Sequence, residues 1–206
     1  MKNNLHKIFD FLHQAEKLKS TLRYNKTRSG RQESTADHSW RLGLMVFLVV
    51  GELKLDLNME RAMKIALVHD IGEALTGDID AVKIAEGKFQ KADKTKLELA
   101  AMHKLKNILP ASSGAKIYSL WQEYEQGKTK EARFIKALDK LETLTQLVDV
   151  GYRTYDKPEF IANYADNAVA EFPALREMLN IIKQKLKKEF EKGDIPWKKE
   201  YGQFVS

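Results

Sequence analysis

Met59-Glu60-Arg61-Ala62-Met63-Lys64-Ile65-Ala66-Leu67-Val68-His69-Asp70 is an amphipathic run that ends in an imidazole and a carboxylate. Asn58 stands where a helix N-cap belongs, and apolar residues recur at helical spacing up to His69-Asp70. If the helix continues, His69 lies on the face of Ala62 and Ala66, and Asp70 on the face of Met63 and Ala66. Both would point into apolar surroundings, where an unpartnered ionised group is destabilising by several kcal/mol. A shared cation removes that penalty. Two further residues repeat the anomaly. His38 leads into the apolar stretch Leu42–Val50, and Asp139 flanks the stripe of Phe134, Leu138, Leu141, Leu144 and Val148. Taken singly, an inward His is commonly a hydrogen-bonded core residue, and a helical Asp a cap or ion-pair partner. The set carries the signal: four N/O side chains on three apolar helices, forming an incomplete coordination shell with room for water or substrate.

Outward from this run, the chain reads as helix after helix. Expected helices span Asn3–Leu18, about 35–53 capped by Ser34 or Thr35, Met59 to about Asp70, about 92–109, Ser113–Gln126, Lys130–Val150 and about 170–192. Lys19–Ser34 is polar and basic and reads as a loop. The stretch Leu42–Val50, apolar nearly all round, should be the buried central helix. No segment shows a convincing period of two, so the expected fold is all-α: a single helical domain over residues 1–206, with the motif-bearing core at about 18–150 and C-terminal helices after it. The chain has 206 residues, 43% of them hydrophobic, and no cysteine. Disulfides and cysteine-ligated zinc are therefore excluded, and any metal must rest on imidazole and carboxylate. The longest apolar run is too short to cross a bilayer, and Met1–Asp10 lacks a signal-peptide core, so the expectation is a soluble, cytoplasmic protein. The formal net charge is +6. Much of the excess lies in Lys183–Lys199, which reads as a solvated helix face; the lack of interleaved aromatics argues against nucleic acid as a partner.

The local text around the four residues resembles the HD superfamily of metal-dependent phosphohydrolases, and within it the 5'-deoxynucleotidase branch. Glu33-Ser34-Thr35-Ala36-Asp37-His38 is similar to its entry motif. His69-Asp70-Ile71-Gly72-Glu73 with Thr76-Gly77-Asp78 is similar to its central motif, and Ala137-Leu138-Asp139-Lys140-Leu141-Glu142 to its final one. The resemblance covers roughly residues 18–150. It implies one divalent cation (cobalt, manganese or another transition metal) on His38, His69, Asp70 and Asp139, and Glu73 as the carboxylate that positions or deprotonates the attacking water. It also implies Asp78 as a second acidic residue near the sugar or the proton path, and Arg23 as a phosphate-binding fork. Some members carry a tryptophan after that arginine, crowding a ribose 2'-hydroxyl. Here the residue is Tyr24, a smaller ring with its own hydroxyl, which leaves sugar selectivity open. Lys136, one turn before Asp139, is placed to face the site. Trp121 and Tyr124 read as packing residues, Trp197 and Tyr201 as anchors of the tail, and His6, His13 and His103 as lying outside the constellation.

The implied function is hydrolysis of a deoxyribonucleoside 5'-monophosphate to nucleoside and phosphate, with a homodimer suggested by the same resemblance. The alternatives are a triphosphate or cyclic-nucleotide phosphohydrolase, and a helical module that binds nucleotide without turnover.

Overall fold

The computed structural model describes residues 2–79, 87 and 89–202. Among these residues the helices are α1 (Lys2–Ala15), α2 (Thr35–Glu52), α3 (Met59–Val68), α4 (Glu73–Thr76), α5 (Lys91–Ile108), α6 (Ala111–Gln126), α7 (Lys130–Val150), α8 (Pro158–Ala162), α9 (Asp166–Ala170) and α10 (Arg176–Lys192). Their ends follow local chemistry. Ser34 caps α2 in a reciprocal capping box with Asp37, Asn58 caps α3 through Arg61 N–H, and Thr129 caps α7 through Ala132 N–H. Gly127 closes α6 in the left-handed region. The helix α7 is the axis of the fold, burying Phe134, Ile135, Leu138, Leu141 and Leu144 against α2, α3 and α10. A second apolar cluster gathers Phe11, Leu18, Val68, Ile71, Met102, Leu105 and Trp121 between α1, α5 and α6.

The structure departs from the sequence expectation in several places. Residues 19–34 are not simply a loop: β1 (Leu22–Lys26) and β2 (Gln32–Ser34) form an antiparallel hairpin, with Leu22 opposite Ser34 and Lys26 opposite Gln32. Polar contacts hold it, which is why no apolar alternation announced it. Asn25 Nδ2 donates to the Thr143 carbonyl at 3.4 Å, and Gln146 Nε2 donates to the Lys26 carbonyl. The helix α2 is not buried all round: Leu42, Met45, Val46 and Val50 face the core, but Trp40 and Phe47 are 70% and 58% exposed, with Leu44 and Leu48 beside them. The last long helix begins at Arg176, because Pro173 heads a short 3-10 turn between α9 and α10. Finally, Lys183 is not on a solvated face. It is fully buried, donating to Asp166 Oδ2 at 2.7 Å and to the Tyr201 carbonyl at 2.9 Å. The tail is anchored as expected, with Trp197 and Tyr201 packed on Phe190. Among the described residues no helix is long and apolar enough to cross a membrane.

Candidate functional site

The four residues singled out in the sequence converge. His38 comes from the first turns of α2, His69 and Asp70 from the turn that ends α3, and Asp139 from the middle of α7. His38 Nε2 lies 3.3 Å from His69 Nε2, 3.2 Å from Asp139 Oδ1 and 3.8 Å from Asp70 Oδ2, and His69 Nε2 lies 3.0 Å from Asp70 Oδ2. The outward ring nitrogens settle what the inner ones can be. His69 Nδ1 faces the Ala66 carbonyl at 2.9 Å, and a carbonyl only accepts, so Nδ1 carries the hydrogen. His38 Nδ1 faces the fully buried Glu142 carboxylate, which in turn accepts from Arg41 Nε at 2.6 Å. With both Nδ1–H groups spent outward, the imidazoles, once neutral, would turn their Nε2 lone pairs on each other and on two carboxylates. Such a concentration of acceptors repels itself unless a positive charge sits among them.

A cation with bonds of 2.0–2.2 Å needs neighbouring ligand atoms about 3.0–3.4 Å apart, close to the separations seen here. His38, His69 and Asp139 accordingly form a buried group that could hold a metal ion. Without a cation, a proton on His38 meets the same demand. Burial and Arg23 press the His38 pKa down, yet Glu142 and Asp139 outweigh them and lift it to about 10. Burial opposes the charged form of Asp70 and Asp139, but the histidines, with Arg23 beside Asp70 and Lys140 beside Asp139, hold both well below the usual carboxylate range.

This centre forms part of the floor of a cleft of about 530 Å³, lined among others by Arg23, Tyr24, Asp78, Lys136, Lys140 and Tyr164. Arg23 rides on β1, with Nη1 3.4 Å from Asp70 Oδ2, Nη2 donating to Thr143 Oγ1 at 3.3 Å, and Nε 3.4 Å from the buried Glu33. The hairpin thus delivers the guanidinium to the edge of the centre. Tyr24 lines the cleft next to it. Glu73 opens α4 and is buried; its Oε2 accepts from Thr35 Oγ1 at 2.8 Å, and burial with Asp70 and Asp78 nearby raises its carboxyl well above the ordinary value. Thr35 is therefore not the cap of α2 but the hydroxyl that holds Glu73. Gly77, with φ of 72°, turns the chain after α4 in a conformation that disfavours side chains and brings Asp78 to the cleft. His6, His13 and His103 stay away from the centre; the ring of His103 lies against Tyr118 instead, 5.0 Å between centroids.

Some residues of the site received no role, or a different one, in the sequence reading. Tyr124 is no mere packing residue: its hydroxyl donates to Asp139 Oδ2 at 2.9 Å, turning Oδ1 toward His38. Lys140 also reaches Asp139 Oδ2, at 3.1 Å, and Tyr164 Oη at 3.1 Å. Glu142 and Arg41 form the shell behind His38, and Glu33 and Thr143 the shell behind Arg23. One signal was available: Glu142 stands one turn beyond Asp139 on an apolar helix, a second buried carboxylate that needed a partner.

These features define a helical domain with an acceptor-rich His-Asp centre, and the chain belongs to the HD-domain family, whose model matches residues 15–172. Its relatives include the 5'-deoxynucleotidase HDDC2 of Xenopus laevis, 33% identical over 155 residues, covering 74% of this chain and 73% of the relative. The human 5'-deoxynucleotidase HDDC2 is 32% identical over 143 residues, covering 69% of this chain and 66% of the relative. Among solved structures, a predicted metal-dependent phosphohydrolase from Magnetospirillum magnetotacticum MS-1 superposes with a TM-score of 0.77 at 27% identity, covering 95% of this chain and all of that one.

Proposed function

We propose that this chain hydrolyses deoxyribonucleoside 5'-monophosphates to nucleoside and phosphate, using one divalent transition-metal cation on His38, His69, Asp70 and Asp139. The observation that carries the reading is the convergence of two Nε2 atoms and two carboxylates while both Nδ1–H groups point outward. When bound, a divalent cation supplies Lewis-acid charge and lowers the pKa of water. The protein's own groups do the rest. Arg23 offers its fork to the phosphate dianion from beside Asp70. Glu73, held by Thr35, positions the attacking water and takes its proton. Asp78 lies at the cleft wall for the sugar or the leaving-group proton, and the Tyr24 ring stands beside Arg23, where it would pack against the sugar. The 5'-deoxynucleotidase activity of the relatives supports the substrate class.

The test is phosphate release from deoxy- and ribonucleoside 5'-monophosphates after chelation and re-addition of cobalt, manganese, magnesium or zinc. Metal-dependent release that favours deoxyribose is the expected result. Release from both sugars would keep the hydrolase and drop the deoxyribose preference, and release only from triphosphates or cyclic nucleotides would reassign the substrate. Nucleotide binding with no release from any substrate would make the chain a binding module. As part of the same proposal, the protein works in the cytoplasm, where nucleotides are made and kept. It does so as a homodimer, for which the exposed Trp40, Leu44, Phe47 and Leu48 face of α2 is the natural contact. Sedimentation should show twice the chain mass, reverting to one on Phe47→Glu.

A further inference from the structure

Lys136 is a cation of the cleft that no described carboxylate meets in an ion pair. Arg23, Lys94 and Lys140 each face a carboxylate: Asp70 at 3.4 Å, Glu98 at 3.5 Å and Asp139 at 3.1 Å. Lys136 lines the same cleft, half-buried, yet makes no hydrogen bond and no ion pair among the described residues. Its ammonium instead lies 4.2 Å from the centroid of the Tyr124 ring, the ring whose hydroxyl is tied to Asp139. Its stem is seated as well. Gly127 has φ of +61°, and a Cβ there would come within 3.2 Å of Lys136 Cε and 3.4 Å of Cδ, so the glycine both closes α6 and leaves the groove in which the lysine lies.

A partly desolvated ammonium over an aromatic face gains some cation–π attraction but keeps its donors unsatisfied. Burial, with Lys140 and Lys91 nearby, pushes its pKa below the ordinary lysine value against the pull of the exposed Glu125 and, more weakly, Asp139. An anion entering the cleft would supply what is missing. Lys136 stands one helical turn before Asp139, and Arg23 stands against Asp70, so the two cations flank the two carboxylates of the centre.

We infer that Lys136 is an anion-binding residue of the cleft that takes a phosphate oxygen of the substrate, with Tyr124 and Gly127 as its seat. An ammonium is a compact charge with rotatable donors, which suits an oxygen that Arg23 leaves uncovered. The inference rests on the phosphomonoester reading above. Inorganic phosphate is the probe, titrated calorimetrically into the metal-loaded protein and tested as a competitive inhibitor. Lys136→Met should weaken phosphate binding and raise KM by about tenfold, and Lys136→Arg should recover most of that loss. A purely structural lysine would lower the melting temperature of Lys136→Met and leave phosphate affinity alone. If the wild type binds phosphate and Lys136→Met binds it equally well, the inference is overturned while the phosphohydrolase reading stands. If the wild type neither binds phosphate nor releases it from any monoester, that reading fails and the inference falls with it.

Discussion

Two regions of this protein bury charge, and they do it differently. Beneath the C-terminal turn, Lys183 is fully buried but donates to the Asp166 carboxylate and the Tyr201 carbonyl, so donor meets acceptors. Between α2, α3 and α7, acceptors crowd once the imidazoles are neutral: His38 Nε2 lies 3.3 Å from His69 Nε2, 3.2 Å from Asp139 Oδ1 and 3.8 Å from Asp70 Oδ2, with both Nδ1 atoms directed outward to Ala66 and Glu142. Buried polarity alone therefore does not mark a functional centre. An imbalance of donors and acceptors does, because it states which charge has to arrive from outside.

The contrast can be broken at several points. Glu73→Gln should keep the metal and lower turnover by about 10²–10⁴-fold, the range for a lost acid–base group; unchanged turnover in a steady-state assay would remove Glu73 from the chemistry. Lys183→Met should destabilise by about 3–5 kcal/mol, because it leaves Asp166 half-buried without its cation, while metal content stays that of the wild type. Chemical denaturation and elemental analysis on the same preparation separate the two effects. Glu142→Gln, which removes the carboxylate behind His38, should weaken metal affinity by about 10–100-fold with little change in fold. The smallest effect belongs to the entrance of α2. Asp37 closes the capping box and pairs with Arg31, and the Arg31 hydrogen bond leads the causes that hold its pKa at about 2, below 3.8. A depressed carboxylate stabilises above its unfolded pKa and loses that contribution as pH falls through its folded one. Asp37→Asn should cost about 1 kcal/mol at neutral pH and flatten the acid limb of the stability curve between about pH 4 and pH 2.

How much of this was legible beforehand follows the same division. Helix α7 was readable to its ends, because Thr129, Gly151 and the Phe134–Leu144 stripe are local signals. The centre was readable as an order of residues, since His38, His69-Asp70 and Asp139 each interrupt apolar text. The hairpin was not, because its strands are held by Thr143 and Gln146, more than a hundred positions away, and not by a pattern of their own. Lys183 was hidden for the opposite reason: among the alternating Lys and Glu of α10, nothing marks which lysine turns inward. Tyr124 looked apolar in its helix, and only the fold brings its hydroxyl to Asp139. Apolar α2 misled in a third way, since composition alone does not say whether an apolar face meets the core or remains exposed, as Trp40 and Phe47 do.

The central claim is that the acceptor-rich centre is completed by a cation and the lysine beneath the tail is not. Equilibrium uptake of manganese or cobalt by chelator-treated protein tests it directly. The account predicts one cation per chain for the wild type and for Lys183→Met, and none for Asp139→Ala. A wild-type protein that takes up no cation, or an Asp139→Ala variant that binds as the wild type does, would contradict it.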